Sequence, residues 1–215
     1  MTTATRLSIY QGACAVIGER QLLTTTENRE SRRALDDVWD RGGIGTCLAN
    51  GLWNFAARSI QWDFDPSFAP SWGFQCVFEI PSDWVRWMKV CADPYFNQPL
   101  LQCTTEGQHF YTDLQRLWVK YVSNDPKFGM NMAGWPDNFQ RYVEAYFGEA
   151  ICMRVTGDEN KRKDAEIKRD GFLQRAKSTD AMAESTALLP AGNWSMSRHG
   201  RRGSIERGNP SRLIG

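Results

Sequence analysis

The stretch WPDNFQRYVEAYFGEAICMRVTGDEN, residues 135–160, decides the fold of this chain. Pro136 and Asp137 are typical of the first turn of a helix, and Gly157 is typical of the residue that ends one. Asp158 then stands where its side chain can cap a second helix. Because the connection is so short, the sequence predicts an antiparallel helical hairpin. The first helix should turn one apolar stripe to the core: Phe139, Tyr142, Val143, Tyr146, Ala150 and Met153.

Further helices are predicted on either side of this stretch. Residues 3–18 fit a short helix that Gly18 closes, and an amphipathic helix follows whose core face holds Ala34, Leu35 and Val38. The pair Gly42 and Gly43 should kink this helix, which then continues at helical spacing to Trp53. The second helix of the hairpin should run to about residue 185 and turn these residues to the core: Ala165, Phe172, Ala176, Thr179 and Ala183.

Between residues 57 and 132, short runs of aromatic and β-branched residues alternate with turn signals. Glu106-Gly107 separates two of these runs and is the best candidate for a hairpin turn. A helical turn is expected within residues 81–90, where Ser82 can cap it. The expected strands are residues 58–64, 74–80, 100–104, 109–112 and 117–122.

These segments together predict an α+β fold. Helices from the N- and C-terminal segments should form one antiparallel bundle, with a β-rich subdomain inserted between them and an extended arm at the C-terminus. The expected segments are residues 1–56 for the first part of the bundle, 57–132 for the β-rich insertion, 133–187 for the second part of the bundle and 188–215 for the arm.

Composition narrows the class of protein. With 41% hydrophobic and 24% charged residues, the chain is typical of a globular protein. It has neither an apolar run approaching the ~20 residues of a membrane span nor a start that resembles a signal peptide, so we expect synthesis in a cytoplasm. The six cysteines include no C-x-x-C pair, which favours free and mostly buried thiols. Because neither His109 nor His199 stands near a cysteine, we expect no metal site, and we expect no cofactor.

Charge is distributed unevenly along the chain. From Leu188 onward there are five arginines and one glutamate, a balance of +4, while the preceding residues hold 21 basic and 24 acidic groups, a balance of −3. Arginine forks suit carboxylates and phosphates, and this segment has too few apolar residues to fold alone. We therefore expect an arm that is disordered in the free chain and becomes ordered on a partner. Its predicted contact residues are Leu189, Pro190, Trp194, Arg198, Arg201, Arg202, Arg207 and Arg212.

Catalytic motifs such as G-x-S-x-G, H-E-x-x-H and the P-loop do not occur in the sequence, which predicts that the chain is not an enzyme. Two alternatives stay open. A carboxylate pair drawn from Asp63, Asp65 and Asp83 would suit a glycosidase that degrades peptidoglycan. Alternatively, Trp62 and Trp72 would suit a module that binds glycans or a host surface. The simpler interpretation of these residues is solvated turn acids, helix caps and core tryptophans.

Nearly the whole chain carries short motifs in a fixed order. They are Ala15-Val-Ile-Gly18, Leu23-Thr-Thr-Thr26, Ala34-Leu-Asp-Asp-Val-Trp-Asp40, Trp53-Asn-Phe-Ala-Ala-Arg58, Phe78-Glu-Ile-Pro-Ser-Asp-Trp-Val-Arg86, Thr156-Gly157 and Leu189-Pro-Ala-Gly-Asn-Trp194, with Arg198 and Gly200 beyond. In their order and spacing these motifs resemble the tail tubular protein A, or head-to-tail adaptor, family of short-tailed bacteriophages.

The resemblance implies a virion protein that forms a ring, typically of twelve copies, between the portal protein and the tail nozzle (tail tubular protein B). In that ring the helical bundle would form the wall against the portal, the arm would follow the portal, and the β-rich insertion would make lateral or nozzle contacts. Double-stranded DNA would pass through the lumen without base-specific binding. A mildly acidic body suits such a channel, since tight binding of phosphates would slow the passage of DNA.

Overall fold

The computed structural model describes residues 4–68, 70 and 72–183, which belong to one compact unit, Met1–Ala183. Within this part, five α-helices combine with two three-stranded antiparallel sheets, so the predicted α+β class is confirmed. The helices are α1 (Arg6–Val16), α2 (Glu30–Asp40), α3 (Gly43–Ala49), α4 (Asp137–Thr156) and α5 (Glu159–Ala183). We call these five helices the helical part.

The ends of the first helices follow from their sequence. The Thr5 hydroxyl accepts a hydrogen bond from the backbone N–H of Ser8 at 3.1 Å, and the Ser8 hydroxyl accepts one from the backbone N–H of Thr5 at 2.9 Å. This reciprocal cap satisfies N–H groups that the first turn of α1 would otherwise leave unpaired. Gly18 adopts a φ of 71°, as expected of a residue that closes a helix. In α2, Ala34 and Leu35 are buried, which confirms the predicted core face.

The kink expected at Gly42 and Gly43 is a complete break between α2 and α3. Gly42 has a φ of 82°, and backbone in the left-handed region cannot continue a right-handed helix. α3 then ends at Ala49, so the expected continuation to Trp53 is wrong. Trp53 is buried beyond the helix, where its Nε1 donates to the carbonyl oxygen of Leu48 at 3.0 Å.

α4 and α5 form the predicted antiparallel hairpin. Asn138 near the start of α4 donates to Thr179 near the end of α5 at 2.9 Å, and Glu149 in the second half of α4 pairs with Arg169 at 2.6 Å. Gly157 stands between the helices with a φ of 66°, which confirms its predicted role in ending α4.

The stripe predicted for α4 is correct in its first half and wrong in its second. Ala150 and Met153 are exposed, whereas Ile151 and Cys152 are buried. α4 contacts α1, α2, α3 and α5. Because it is covered on several sides, a single apolar stripe does not describe which of its residues reach the core.

α5 shows a similar shift. Ala165 and Ala176 are buried as predicted, but Thr179 and Ala183 are exposed and Asp180 takes the buried position near the helix end. The buried face of α5 therefore includes the carboxylate of Asp180, and a search for apolar residues alone does not identify it.

Glycine allows α1 and α4 to pack closely. A Cβ placed on Gly148 of α4 would lie 2.9 Å from the backbone oxygen of Ala13 and 3.1 Å from the Cβ of Val16, both in α1. Carbon atoms do not approach a backbone oxygen this closely without a shift of one of the helices. The spacing of α1 and α4 therefore depends on the missing side chain at Gly148.

The strands are β1 (Ala57–Asp63), β2 (Cys76–Glu79), β3 (Trp84–Cys91), β4 (Thr104–Glu106), β5 (His109–Thr112) and β6 (Arg116–Ser123). Sheet A has the order β1-β6-β3 and sheet B the order β2-β5-β4. We call these strands and their connections the β part. β4 and β5 join at the predicted Glu106-Gly107 hairpin, where Gly107 adopts a φ of 58°.

Two predictions for the β part are wrong. Residues 81–90, expected to contain a helical turn capped by Ser82, lead into and form most of β3. Aromatic residues such as Trp87 and β-branched residues favour a strand there, and pairing with β6 satisfies the backbone. Residues 100–104 are not a strand, because regular pairing begins only at Thr104.

The described residues have two hydrophobic cores, one on each side of sheet A. In β6, Leu117 and Tyr121 point toward sheet B, and Val122 points to the opposite side, where it joins the core of the helical part. Val85 and Met88 of β3 also pack on that second core. The core between the sheets contains Trp62, Cys76, Phe78, Phe110, Leu117, Val119 and Tyr121.

Candidate functional surfaces

The predicted portal-binding arm, residues 188–215, lies outside the described residues. The roles expected of its contact residues stay predictions: Leu189, Pro190, Trp194, Arg198, Arg201, Arg202, Arg207 and Arg212. The carboxylates and tryptophans of the two alternative functions lie in the β part, where the structure places each of them.

Asp63 and Asp65 lie at the end of β1 and in the turn after it. Arg116 of β6 donates to Asp63 at 2.6 Å, and the backbone N–H and hydroxyl of Ser67 donate to Asp65 at 2.9 and 2.6 Å. These hydrogen bonds hold the pKa of both carboxyl groups below its ordinary value. Both groups are therefore ionised at neutral pH, as expected of solvated turn acids.

Asp83 precedes β3 and is held by three donors. The guanidinium of Arg58 donates at 2.8 Å, the hydroxyl of Tyr121 at 3.0 Å and the hydroxyl of Ser123 at 2.5 Å. Burial alone would raise the pKa of this carboxyl group, but the hydrogen bonds from Ser123, Arg58 and Tyr121 together lower it. Asp83 is thus an ionised acceptor that fixes the start of β3 to β1 and β6.

Asp83 lies far from Asp63. Arg58, the partner of Asp83, is five residues from Asp63 on β1, about 16 Å along the strand, and an odd spacing puts the two residues on opposite faces. Paired carboxylates of glycosidases are about 5 to 9.5 Å apart, and one of them carries a raised pKa. The pKa of each of Asp63, Asp65 and Asp83 is lowered, so none of them is the protonated acid that such a pair requires.

Trp62 and Trp72 differ sharply in exposure. Trp62 is 8% exposed and lies between the sheets, with ring centroids 5.0 Å from Phe78 and 5.5 Å from Phe110. It is a core residue, so its expected role as a surface platform is wrong. Trp72 is 44% exposed and stacks beside Tyr111 of β5, with centroids 5.6 Å apart.

Trp72 belongs to a layer of rings on the side of sheet B that faces away from sheet A. Phe68 and His109 lie 5.2 Å apart between centroids, Trp72 and Phe74 lie 5.8 Å apart, and His109 and Tyr111 of β5 lie 6.4 Å apart. We call these five residues the outer aromatic face. His109 is thus a strand residue in a hairpin, as predicted, and its ring contributes to a surface.

Two carboxylates flank this face. In the ladders of sheet B, Glu79 of β2 and Glu106 of β4 both pair with His109. Residues directly opposite each other in antiparallel strands share a face, with Cβ atoms about 4.5–5.5 Å apart. A row of carboxylate, imidazole and carboxylate therefore crosses sheet B beside the outer aromatic face.

An open cleft of about 610 Å³ adjoins this row. It forms where the end of β2, the turn before β3 and the β4–β5 hairpin meet. Sequence reasoning does not find it, because its two sides are far apart along the chain; the hairpin turn at Gly107 is the one local signal. The lining residues are Glu79, Ile80, Pro81, Ser82, Trp84, Gly107 and Gln108.

The helical and β parts are joined by a hydrogen-bonded carboxylate that the sequence does not reveal. Asp180 of α5 accepts from the backbone N–H of Asn54 at 3.1 and 3.0 Å and from its side-chain amide at 3.0 Å. The Asn54 side-chain oxygen in turn accepts from Lys120 of β6 at 3.3 Å. Hydrogen bonds to a buried carboxylate are stronger than those between neutral groups, so this network fixes α5 against the start of β1.

A half-buried carboxylate lies in the helical part. Glu144 of α4 packs against Gly12 of α1 and accepts a hydrogen bond from Gln140 at 2.9 Å. Burial raises the pKa of Glu144, and the hydrogen bond from Gln140 and the charge of Arg141 only partly oppose this. Glu144 is consequently disfavoured as a charged group in the folded chain.

Large apolar side chains are exposed on both parts. In the connection from β3 to β4, Tyr95 is 80% and Leu101 89% exposed. On α5, Ile167 is 70% and Met182 83% exposed. These exposed side chains are candidates for contacts with other proteins.

The described residues give no indication of a metal site. Within residues 4–68, 70 and 72–183, no group of three or more His, Cys, Asp or Glu side chains could hold an ion. The six cysteines are free thiols, five of them buried, and burial raises the pKa of Cys47 to about 12. None of the described helices is long and apolar enough to cross a membrane.

Comparison of the sequence with protein-family models gives no matching family, and comparison with curated proteins gives no match.

Proposed function

We propose that the chain is a structural subunit of a head-to-tail adaptor ring in the virion of a short-tailed phage, made in the cytoplasm of the host bacterium. The ring would contain twelve copies and would sit between the portal protein and the tail nozzle. Support comes from the ordered motifs of the sequence and from the division of the described residues into a helical part and a β part.

The observation that carries the proposal is the presence of exposed apolar side chains on both parts. A closed ring requires two different and complementary faces on each subunit. The β part offers Tyr95 and Leu101, whereas α5 offers Ile167 and Met182 among many charged residues. One chain therefore has two chemically distinct surfaces for different neighbours.

Hydrogen bonds to one carboxylate hold the connection that carries Tyr95. The carboxylate of Asp93 accepts from the backbone N–H groups of Tyr95, Asn97 and Gln98 at 3.2, 3.0 and 2.7 Å. A surface that already has its bound shape loses less entropy on association. These hydrogen bonds favour the β part as the surface for lateral or nozzle contacts.

The helical part and the C-terminal segment would contact the portal. The arginines Arg198, Arg201 and Arg202 would bind carboxylates on the portal surface, since a guanidinium can bind a carboxylate through two hydrogen bonds. Double-stranded DNA would pass through the lumen, where a mildly acidic body avoids tight binding to phosphates.

Native mass spectrometry of the purified chain, alone and mixed with the portal protein, tests the proposal. A ring, or a monomer that assembles only on the portal, is the expected result. A monomer that ignores the portal would overturn it. Leu101→Asp should weaken contacts with neighbouring copies or with the nozzle, and Leu23→Asp, at an exposed leucine between α1 and α2, is the matched control.

The glycosidase alternative can be tested separately, with a cell-wall degradation assay on the purified protein. Asp63→Asn, Asp65→Asn and Asp83→Asn are the variants to compare. Because the pKa of each of these acids is lowered, none can act as the proton donor of a glycosidase, and we expect no degradation. Activity in the parent chain that one of these substitutions abolishes would contradict a purely structural role.

A further inference from the structure

We propose that the cleft beside the β4–β5 hairpin, together with the outer aromatic face, binds a neutral oligosaccharide. This binding would be independent of ring formation, so its failure would leave the adaptor proposal unaffected.

The first step is the chemistry of the cleft. Its volume of about 610 Å³ lies within the range of small-molecule sites, about 300 to 1,000 Å³. The Gln108 amide and the Ser82 hydroxyl can each donate and accept hydrogen bonds, and Glu79 accepts them. Trp84 and Pro81 supply flat apolar surface. A pyranose ring has the matching combination, with apolar C–H faces and a rim of hydroxyl groups.

The second step is charge. Of the described residues that line the cleft, Glu79 alone is charged, and it is negative. Glu106 adds a second negative charge beside His109. Phosphates, nucleic acids and acidic sugars need cationic partners, so this surface disfavours them. A neutral ligand rich in hydroxyl groups avoids that repulsion and still uses the carboxylates as acceptors.

The third step is continuity. Glu79 lines the cleft and also stands opposite His109 in the β2–β5 ladder. His109 contacts Phe68, and Tyr111, next on the same face, contacts Trp72. The exposed rings of Phe68 and Trp72 thus lie on the face of sheet B that carries Glu79, at the edge of the cleft. An oligosaccharide of several residues could occupy the cleft and extend over these rings.

The fourth step is the rigidity of Trp84, the aromatic residue that lines the cleft. The ring centroids of Trp84 and Trp87 are 5.1 Å apart, and those of Trp87 and Trp62 are 5.4 Å apart. These contacts connect Trp84 to the core between the sheets. A ring held in this way needs little reorganisation when a ligand stacks on it.

Isothermal titration of the full chain with maltohexaose, cellohexaose and chitohexaose tests the proposal. We expect at least one of these neutral sugars to bind with a Kd of about 1 mM or tighter. Gln108→Ala in the cleft and Trp72→Ala on the outer aromatic face should each weaken binding about tenfold. Tyr95→Ala removes an exposed ring in the β3–β4 connection and should leave binding unchanged.

Charge provides an independent test. An acidic hexasaccharide from hyaluronan should bind more weakly than the best neutral sugar, and Glu79→Gln should reduce that difference. Circular dichroism of each variant checks that it is folded.

Three results would overturn the proposal. One is no binding of any of the three neutral sugars at 10 mM, about tenfold above the expected Kd. Another is binding that survives either Gln108→Ala or Trp72→Ala unchanged in a folded variant. The third is a change in oligomeric state in these variants without any sugar binding, which would identify the surface as a protein interface.

Discussion

The helical part and the β part use aromatic residues differently. Around α4 the rings are enclosed: Phe139 is buried and has its centroid 4.8 Å from Trp53 and 4.7 Å from Phe55. The β part also has an enclosed cluster between its sheets, but it leaves the rings of Phe68 and Trp72 exposed on the outer side. The difference indicates that aromatic rings of the helical part serve folding, whereas some rings of the β part are available for contacts.

The largest expected effect on the free energy of unfolding comes from replacing an enclosed aromatic residue with alanine, compared with an exposed one. Phe139→Ala should lower the free energy of unfolding by about 3–5 kcal/mol, because it leaves a cavity in an enclosed core. Trp72→Ala should lower it by less, about 1–2 kcal/mol, because 44% of this residue is already exposed in the folded chain. Urea denaturation followed by circular dichroism measures both values. Similar losses in the two variants would contradict the comparison.

Helix packing in the helical part can be tested with a pair of glycines. Gly148→Ala places a Cβ 2.9 Å from the backbone oxygen of Ala13 and should destabilise the chain by about 1–3 kcal/mol through overpacking. Gly171→Ala in α5 has open space around the new Cβ and should stabilise it by about 0.5–1 kcal/mol.

Thermal unfolding of these two variants gives shifts of opposite sign if the close approach of α1 and α4 is essential. Destabilisation by Gly171→Ala, or none by Gly148→Ala, would show that space around the backbone does not control packing in this part.

Local signals explain what can be predicted from the sequence. The helical hairpin and the Glu106-Gly107 turn depend on residues close together in the chain, and both are confirmed. Burial depends on partners that are far apart. Trp62 and Trp72 lie in the same region, but only Trp62 stands opposite Leu117 in sheet A and so reaches a core.

The same reason applies to the candidate sites. The cleft brings Glu79 together with Gln108, and the network at Asp180 joins α5 to Asn54. Nothing near Asp180 in the sequence marks it as buried. Such sites follow from the three-dimensional arrangement of strands and helices, and periodicity along one segment does not contain that information.

Folding lowers the pKa of Asp83 in the β part and raises the pKa of Glu144 in the helical part. A substitution of Asp83 tests the first effect. Asp83→Asn should lower the free energy of unfolding at pH 7 by about 1.5 kcal/mol, since it removes the charge that Arg58 and Ser123 bind. The pKa of Asp83 is lowered by folding, so its contribution is present above the unfolded pKa of about 3.9 and is lost as the pH falls through the folded value. Denaturation at pH 7 and at pH 3 should therefore give a smaller difference between variant and parent at the lower pH. An equal difference at both would show that the charge of Asp83 does not matter.

Replacing Glu144 in the helical part should have the smallest effect on stability. It should stabilise the chain at pH 7, whereas Asp83→Asn should destabilise it. Burial raises its pKa, so the carboxyl group binds a proton more readily in the folded chain than in the unfolded chain. The stabilisation linked to that proton is fully present below the unfolded pKa of about 4.3 and is lost as the pH rises through the folded value. Glu144→Gln keeps the shape of the side chain and the contact with Gln140 but removes the charge that burial disfavours. We expect it to raise the melting temperature at pH 7 by a few degrees, equivalent to about 1 kcal/mol or less, and to have little effect near pH 4.

Glu106→Gln, at an exposed glutamate of the β part, is the control and should change the melting temperature little at either pH. A loss of stability in Glu144→Gln at pH 7 would mean that the carboxylate has a favourable partner, and that α1 and α4 are held together by its charge. A rise in melting temperature that occurs only at neutral pH would mean that the charge of Glu144 destabilises the helical part. The charge of Asp83, in contrast, stabilises the contacts among three strands of the β part.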